Sequence, residues 1–222
     1  MQKLWRQVPV TITLVGLMLI IYAGITLTGG SQNPYVLIHW GANYPPLLGQ
    51  AQQWWRLLTA GFLHIGLTHL ILNCLMLYYL GQQVETILGK WRFLSIFLIS
   101  VIWGNLLSAC ISPHTIAAGA STGIFGLLGT FIFLGAERHN QLLLRQLAKQ
   151  YSWLVVINLV FDFLVPGIDV WGHIGGLVAG FLATAFVESK NNLANHSIKR
   201  FLSGMILILA VMIMVRMVIN YG

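Results

Sequence analysis

Charge is what this chain has least of. Only 8% of its 222 residues are Asp, Glu, Lys or Arg, and five of those are acidic. A soluble domain of this length needs far more charged surface, so that class is excluded. Cysteine is almost absent as well. Cys74 and Cys110 fall in or beside apolar runs without metal-motif spacing, and read as packing residues rather than a disulfide. No H-E-x-x-H string occurs, which removes the helical zinc-hydrolase pattern. No repeat period is visible. A cleavable leader is not evident either: Val8 to Leu27 is uncharged, of spanning length and without a clear cleavage site, so it is expected to stay as a first span.

What fills the chain instead is hydrocarbon. Apolar residues make up 57%, which predicts an all-α polytopic membrane protein forming one domain over residues 1–222. Seven spans are expected: Val8 to Leu27, Leu67 to Leu88, Phe93 to Ile111, Ser121 to Ala136, Tyr151 to Val165, Val170 to Val187 and Phe201 to Ile219. The formal charge of +7 points to membrane orientation rather than nucleic acid. With the N-terminus in the cytoplasm, Lys3, Arg6, Lys90, Arg92, Arg138, Arg145, Lys149, Lys190, Lys199 and Arg200 all lie inside. Only Arg56 and Arg216 then lie outside, as the positive-inside rule requires of a cell-membrane protein with an external C-terminus. Thr28 to Gly66, the longest loop, holds Trp40, Tyr44, Pro45, Pro46, Trp54 and Trp55 and is expected to fold partly embedded in the outer leaflet. Glu137 to Gln150 reads as a cytoplasmic amphipathic connector.

The second, fourth and sixth spans start on the outer side. His69 and Asn73 lie in the first turns of the second, Ser121 opens the fourth, and His173 lies in the first turn of the sixth. Four polar residues from three helices thus share one depth, where polar groups are costly and functional by default. His69 and Asn73, at i and i+4, share a helix face. Gly172, Gly176 and Gly180 on one helix and Gly123, Gly126 and Gly129 on another let backbones approach closely. Phe125, one turn below Ser121, can cover the His173 ring. Gly119-x-Ser121-x-Gly123 also spells the nucleophile elbow of soluble hydrolases, but no strand precedes it.

The chemistry these residues suit is acyl transfer, with Ser121 as nucleophile and neutral His173 as base. The Ser121 N–H, Asn73 and His69 can meet the developing oxyanion. Asp169 reads as a loop residue and Asp162 as an interfacial one, leaving a Ser–His dyad. No metal or cofactor is called for. A metal or haem site built from His64, His69 and His173 is the rival of a different class, and a transporter is weaker because few intramembrane charges could couple ions.

At these positions the sequence resembles the rhomboid family of intramembrane serine proteases, over about residues 54–187. Trp55-Arg56 resembles its loop motif. His64, His69 and Asn73 stand in His-x4-His-x3-Asn, followed by Gly81 and Glu85. Gly119-x-Ser121 and His173-x-x-Gly176 match the dyad motifs. The resemblance implies six transmembrane helices plus a seventh at about 201–219, with Ser121 and His173 catalytic and His69 and Asn73 on the oxyanion. Gly119, Phe125 and His64 would support them. The partners would be transmembrane protein substrates and the lipid bilayer; no oligomeric state follows. Thr122 and Phe125 depart from the family pattern, which often has glycine and tyrosine there. The nearest non-enzyme reading is an inactive relative that binds transmembrane clients.

Overall fold

A computed structural model describes residues 8–188 and 194–221. Apart from one 3-10 turn and one isolated β-bridge, the regular structure among them is α-helical. In chain order the helices are α1 (Pro9–Leu27), α2 (Pro34–Trp40), α3 (Pro45–Gly49), α4 (Arg56–Thr59), α5 (Leu67–Leu88), α6 (Lys90–Ile111), α7 (Ser121–Glu137), α8 (Leu142–Leu164), α9 (Val170–Val187) and α10 (Ala194–Tyr221). Long apolar stretches inside α1, α6, α8, α9 and α10 suffice to cross a membrane. Arg56–Phe62 and α5 are together apolar enough for one more span but meet at a 94° bend, and α7 is a shorter apolar helix. Gly66, at φ +81°, sits in that bend, where an L side chain is disfavoured.

The helix starts follow from local chemistry. Pro9 opens α1 at a position where a missing N–H costs nothing. The next donors have a partner on another helix: the buried Glu85 carboxyl of α5 accepts from the N–H of Val10 (3.0 Å), the N–H of Thr11 (2.8 Å) and the Thr11 hydroxyl (2.7 Å). Gly81 lies one turn before Glu85 with Thr11 against it. The Gly81-x-x-x-Glu85 spacing is therefore a socket for the first turn of α1.

α7 runs through the middle of the bundle, touching α5, α6, α8 and α9. Its contact with α9 is backbone on backbone. A side chain at Gly180 would strike the backbone of Gly126, one at Gly176 the backbone of Thr122, and one at Gly129 that of Leu177. Such small-residue faces are how membrane helices pack without an aqueous hydrophobic drive. α10 covers the outside of α6 and α9, where Met214 and Val218 pack with Trp103, Leu106, Cys110 and Ala179. Both cysteines are free and buried, in keeping with a packing role.

The loop between α1 and α5 is folded. The buried Arg56 donates from Nη1 to the carbonyls of Ile38 (2.6 Å) and Ala42 (3.1 Å), and from Nε to Gln53 Oε1 (2.7 Å). One difference from the sequence reading concerns α8. It begins at Leu142, so most of the expected connector is helix. Leu144 is buried and Ala148 packs on Gly135 of α7, which carries the helix well past its most hydrophobic stretch.

Candidate active site

Ser121 is held by the loop in front of it. Asn43 and Ala117 exchange two backbone hydrogen bonds of 2.9 Å, and the Gly119 N–H donates to Ala60 O at 2.9 Å. Gly119 has φ +151° and faces the His69 ring, so a side chain there would meet both a disfavoured backbone and an imidazole. The chain then enters α7 at Ser121. On the opposite helix Asp169 caps α9, its Oδ1 accepting from the Gly172 N–H at 2.9 Å, and His173 follows in the first turn. His173 Nε2 lies 2.8 Å from Ser121 Oγ. Phe125 stacks on the imidazole, with centroids 4.3 Å apart and planes 11° from parallel.

The remaining expected residues sit nearby with different degrees of involvement. His69 and Asn73 line the same cavity of about 430 Å³ as Ser121, Phe125 and His173. The Asn73 amide nitrogen donates to His69 O at 2.9 Å, leaving its second hydrogen for other partners. His64 does not line that cavity. It is fully buried behind it, edge-on to His69 with centroids 5.3 Å apart.

Asp162 differs from the sequence reading. It is not an interfacial residue at the end of α8 but is buried (6% exposed), with Oδ2 2.6 Å from His173 Nδ1. An acid therefore does face His173, and both of its ring nitrogens are engaged. The signal was in the spacing of α8. Tyr151, Val155, Asn158 and Asp162 recur at four, three and four residues and are sheltered, while Trp153, Ile157, Phe161, Phe163 and Leu164 are exposed. That spacing marks one inward stripe.

Residues 51–191 match the family model described as the Rhomboid domain. The chain belongs to the rhomboid family. It is 39% identical to rhomboid protease GluP of Bacillus subtilis (strain 168) over 89% of its own length and 38% of that protein's. It is also 39% identical to rhomboid-like protease 1 of Toxoplasma gondii, over 66% of this chain and 51% of the other. Rhomboid-like protease 3 of the same organism is 32% identical over 84% of this chain and 71% of its own. The chain thus spans less than two thirds of the length of the first two.

Within this rhomboid domain the two departures from the family pattern have local settings. The Thr122 side chain packs where Gly104 of α6 and Gly172 of α9 leave room for it. Phe125 keeps the ring contact with His173 but brings no hydroxyl to it.

Proposed function

We propose that this rhomboid is an intramembrane serine endopeptidase that cleaves single-span membrane proteins near the outer membrane face. The observation that carries this is the 2.8 Å contact between Ser121 Oγ and His173 Nε2 at the wall of a shared cavity. His173 Nε2 takes the Ser121 proton as Oγ bonds to the substrate carbonyl carbon. The oxyanion faces the Ser121 N–H, which the first turn of a helix leaves without an intrahelical partner, together with Asn73 and His69. Nε2–H then protonates the leaving amine as the C–N bond breaks. Water, deprotonated by the same nitrogen, releases the acyl group and restores Ser121.

A substrate for such a site is itself in the membrane. A helical peptide bond is shielded by its own hydrogen bonds, and unwinding it in lipid leaves amides unsatisfied. The cavity supplies protein and water partners to the unwound segment, which favours spans weakened near their outer end by Gly or Pro.

The test is cleavage of a transmembrane substrate in vesicles, with fluorophosphonate labelling alongside. Ser121→Ala is expected to lose both, and His173→Ala to lose cleavage, with thermal midpoints near wild type. Cleavage by Ser121→Ala at the wild-type rate overturns the assignment. A folded wild type that neither labels nor cleaves fits the inactive client-binding reading instead.

A further inference from the structure

We infer that Asp162 is a positioning residue, holding His173 in the one tautomer and ring orientation in which Nε2 can accept the Ser121 proton. The site then works as Ser121–His173–Asp162 rather than as a pair. This rests on the roles proposed above for Ser121 and His173.

A neutral imidazole carries one hydrogen, on Nδ1 or on Nε2. For Nε2 to act as base the hydrogen must be on Nδ1, and a buried Nδ1–H without an acceptor is costly. Asp162 Oδ2 is that acceptor, at 2.6 Å, with side-chain exposures of 9% for His173 and 6% for Asp162. Phe125 cannot do the same work. Its stacked ring fixes the plane of the imidazole but has no polar atom, so it does not distinguish the ring from one flipped by half a turn about Cβ–Cγ. That flip would turn carbon atoms toward both Ser121 and Asp162. The other nearby acid, Asp169, is engaged at the start of α9, where Oδ1 accepts from the Gly172 N–H.

Through the reaction the Nδ1 hydrogen stays on Nδ1. The proton leaving Ser121 Oγ goes to Nε2 and from there to the leaving amine, and the imidazolium formed in between lies against the Asp162 carboxyl. Asp162 contributes orientation and charge compensation without accepting a proton. It also makes the position of α8 matter to His173, since the bond joins the last turn of α8 to the first turn of α9.

The full-length protein in vesicles, with a transmembrane substrate, tests this through Asp162→Asn, Asp162→Glu and Asp162→Ala. kcat and KM are measured separately, with the rate of fluorophosphonate labelling at Ser121 and the thermal midpoint. Asp162→Asn, which can present its amide hydrogens to Nδ1 and favour the wrong tautomer, is expected to lower kcat by about 10²-fold or more at nearly constant KM. Labelling should slow in parallel. Asp162→Glu is expected to recover part of the loss, and added formate to raise kcat of Asp162→Ala while leaving wild type unchanged. Asn and Ala variants within about threefold of wild-type kcat overturn the proposal. So does a loss that follows a lowered thermal midpoint and that neither Glu nor formate restores, because that is a packing role. Failure of the underlying reading looks different: Ser121→Ala, run in parallel, would then cleave like wild type.

Discussion

Asn73 commits one amide hydrogen to the His69 carbonyl one turn back and lines the cavity with a second amide hydrogen left to donate. That division suits a donor that must be aimed before charge develops. Losing one oxyanion donor typically costs roughly 2.7–4 kcal/mol in other enzymes, and sharing with His69 and the Ser121 N–H lowers that figure. Asn73→Ala is therefore expected to reduce kcat by about tenfold to a hundredfold while KM moves little, and combining it with His69→Ala to reduce kcat further. Steady-state kinetics on a transmembrane substrate check this. Wild-type kcat in both single variants removes the two residues from the role. Ser121, His69, Asn73 and His173 were legible as a set because each lies near the same end of a span, which span order alone reveals. Asp162 was not. A lone acid near the end of an apolar helix looks interfacial until it is read together with Tyr151 and Asn158, the polar members of the same stripe of α8.

Helix boundaries show the same limit. α5 and α9 start and stop where hydropathy alone places them, because Gly66 and Asp169 mark their entries and the flanking residues break the pattern. α8 starts earlier than the hydropathy of its span places it because the amphipathic stretch before Tyr151 is itself helical and packs Ala148 on Gly135. Glycine likewise takes its meaning from its neighbour rather than from its helix. Gly180 of α9 abuts the backbone of Gly126, whereas Gly16 of α1 has open space where a methyl group would go. The same substitution should then act in opposite directions. Gly180→Ala is expected to cost about 1–3 kcal/mol by overpacking and to depress labelling of Ser121 by spreading α7 from α9. Gly16→Ala should be neutral or stabilise by up to about 1 kcal/mol. Thermal unfolding in detergent decides it, and equal effects at the two sites would mean that the backbone contact carries no weight.

At the scale of the whole molecule, the two ends of the bundle differ in chemistry. The end opposite Ser121 carries Arg138 paired with Glu188 and Lys199 paired with Glu137, the latter at 2.9 Å. The Ser121 end carries the folded loop and the cavity. Basic residues gather at the former, so a reporter inserted at Asn195 is expected to read as cytoplasmic and one fused after Gly222 as external. Both reporters on one side would mean that α10 does not cross.

The shortness of α7 has a consequence for the membrane itself. Its 17 residues rise about 25 Å, some 5 Å less than the ~30 Å hydrocarbon layer. A short span facing lipid drags the bilayer thin around itself. α7 has protein on its flanks, from α5, α6, α8 and α9, so the surrounding lipid has no short surface to follow. The cavity of about 430 Å³ that Ser121 lines lies at the start of this short helix, where solvent is expected to make up the deficit. The protein is then expected to carry its own aqueous phase into the bilayer and to leave the membrane beside it at its ordinary thickness.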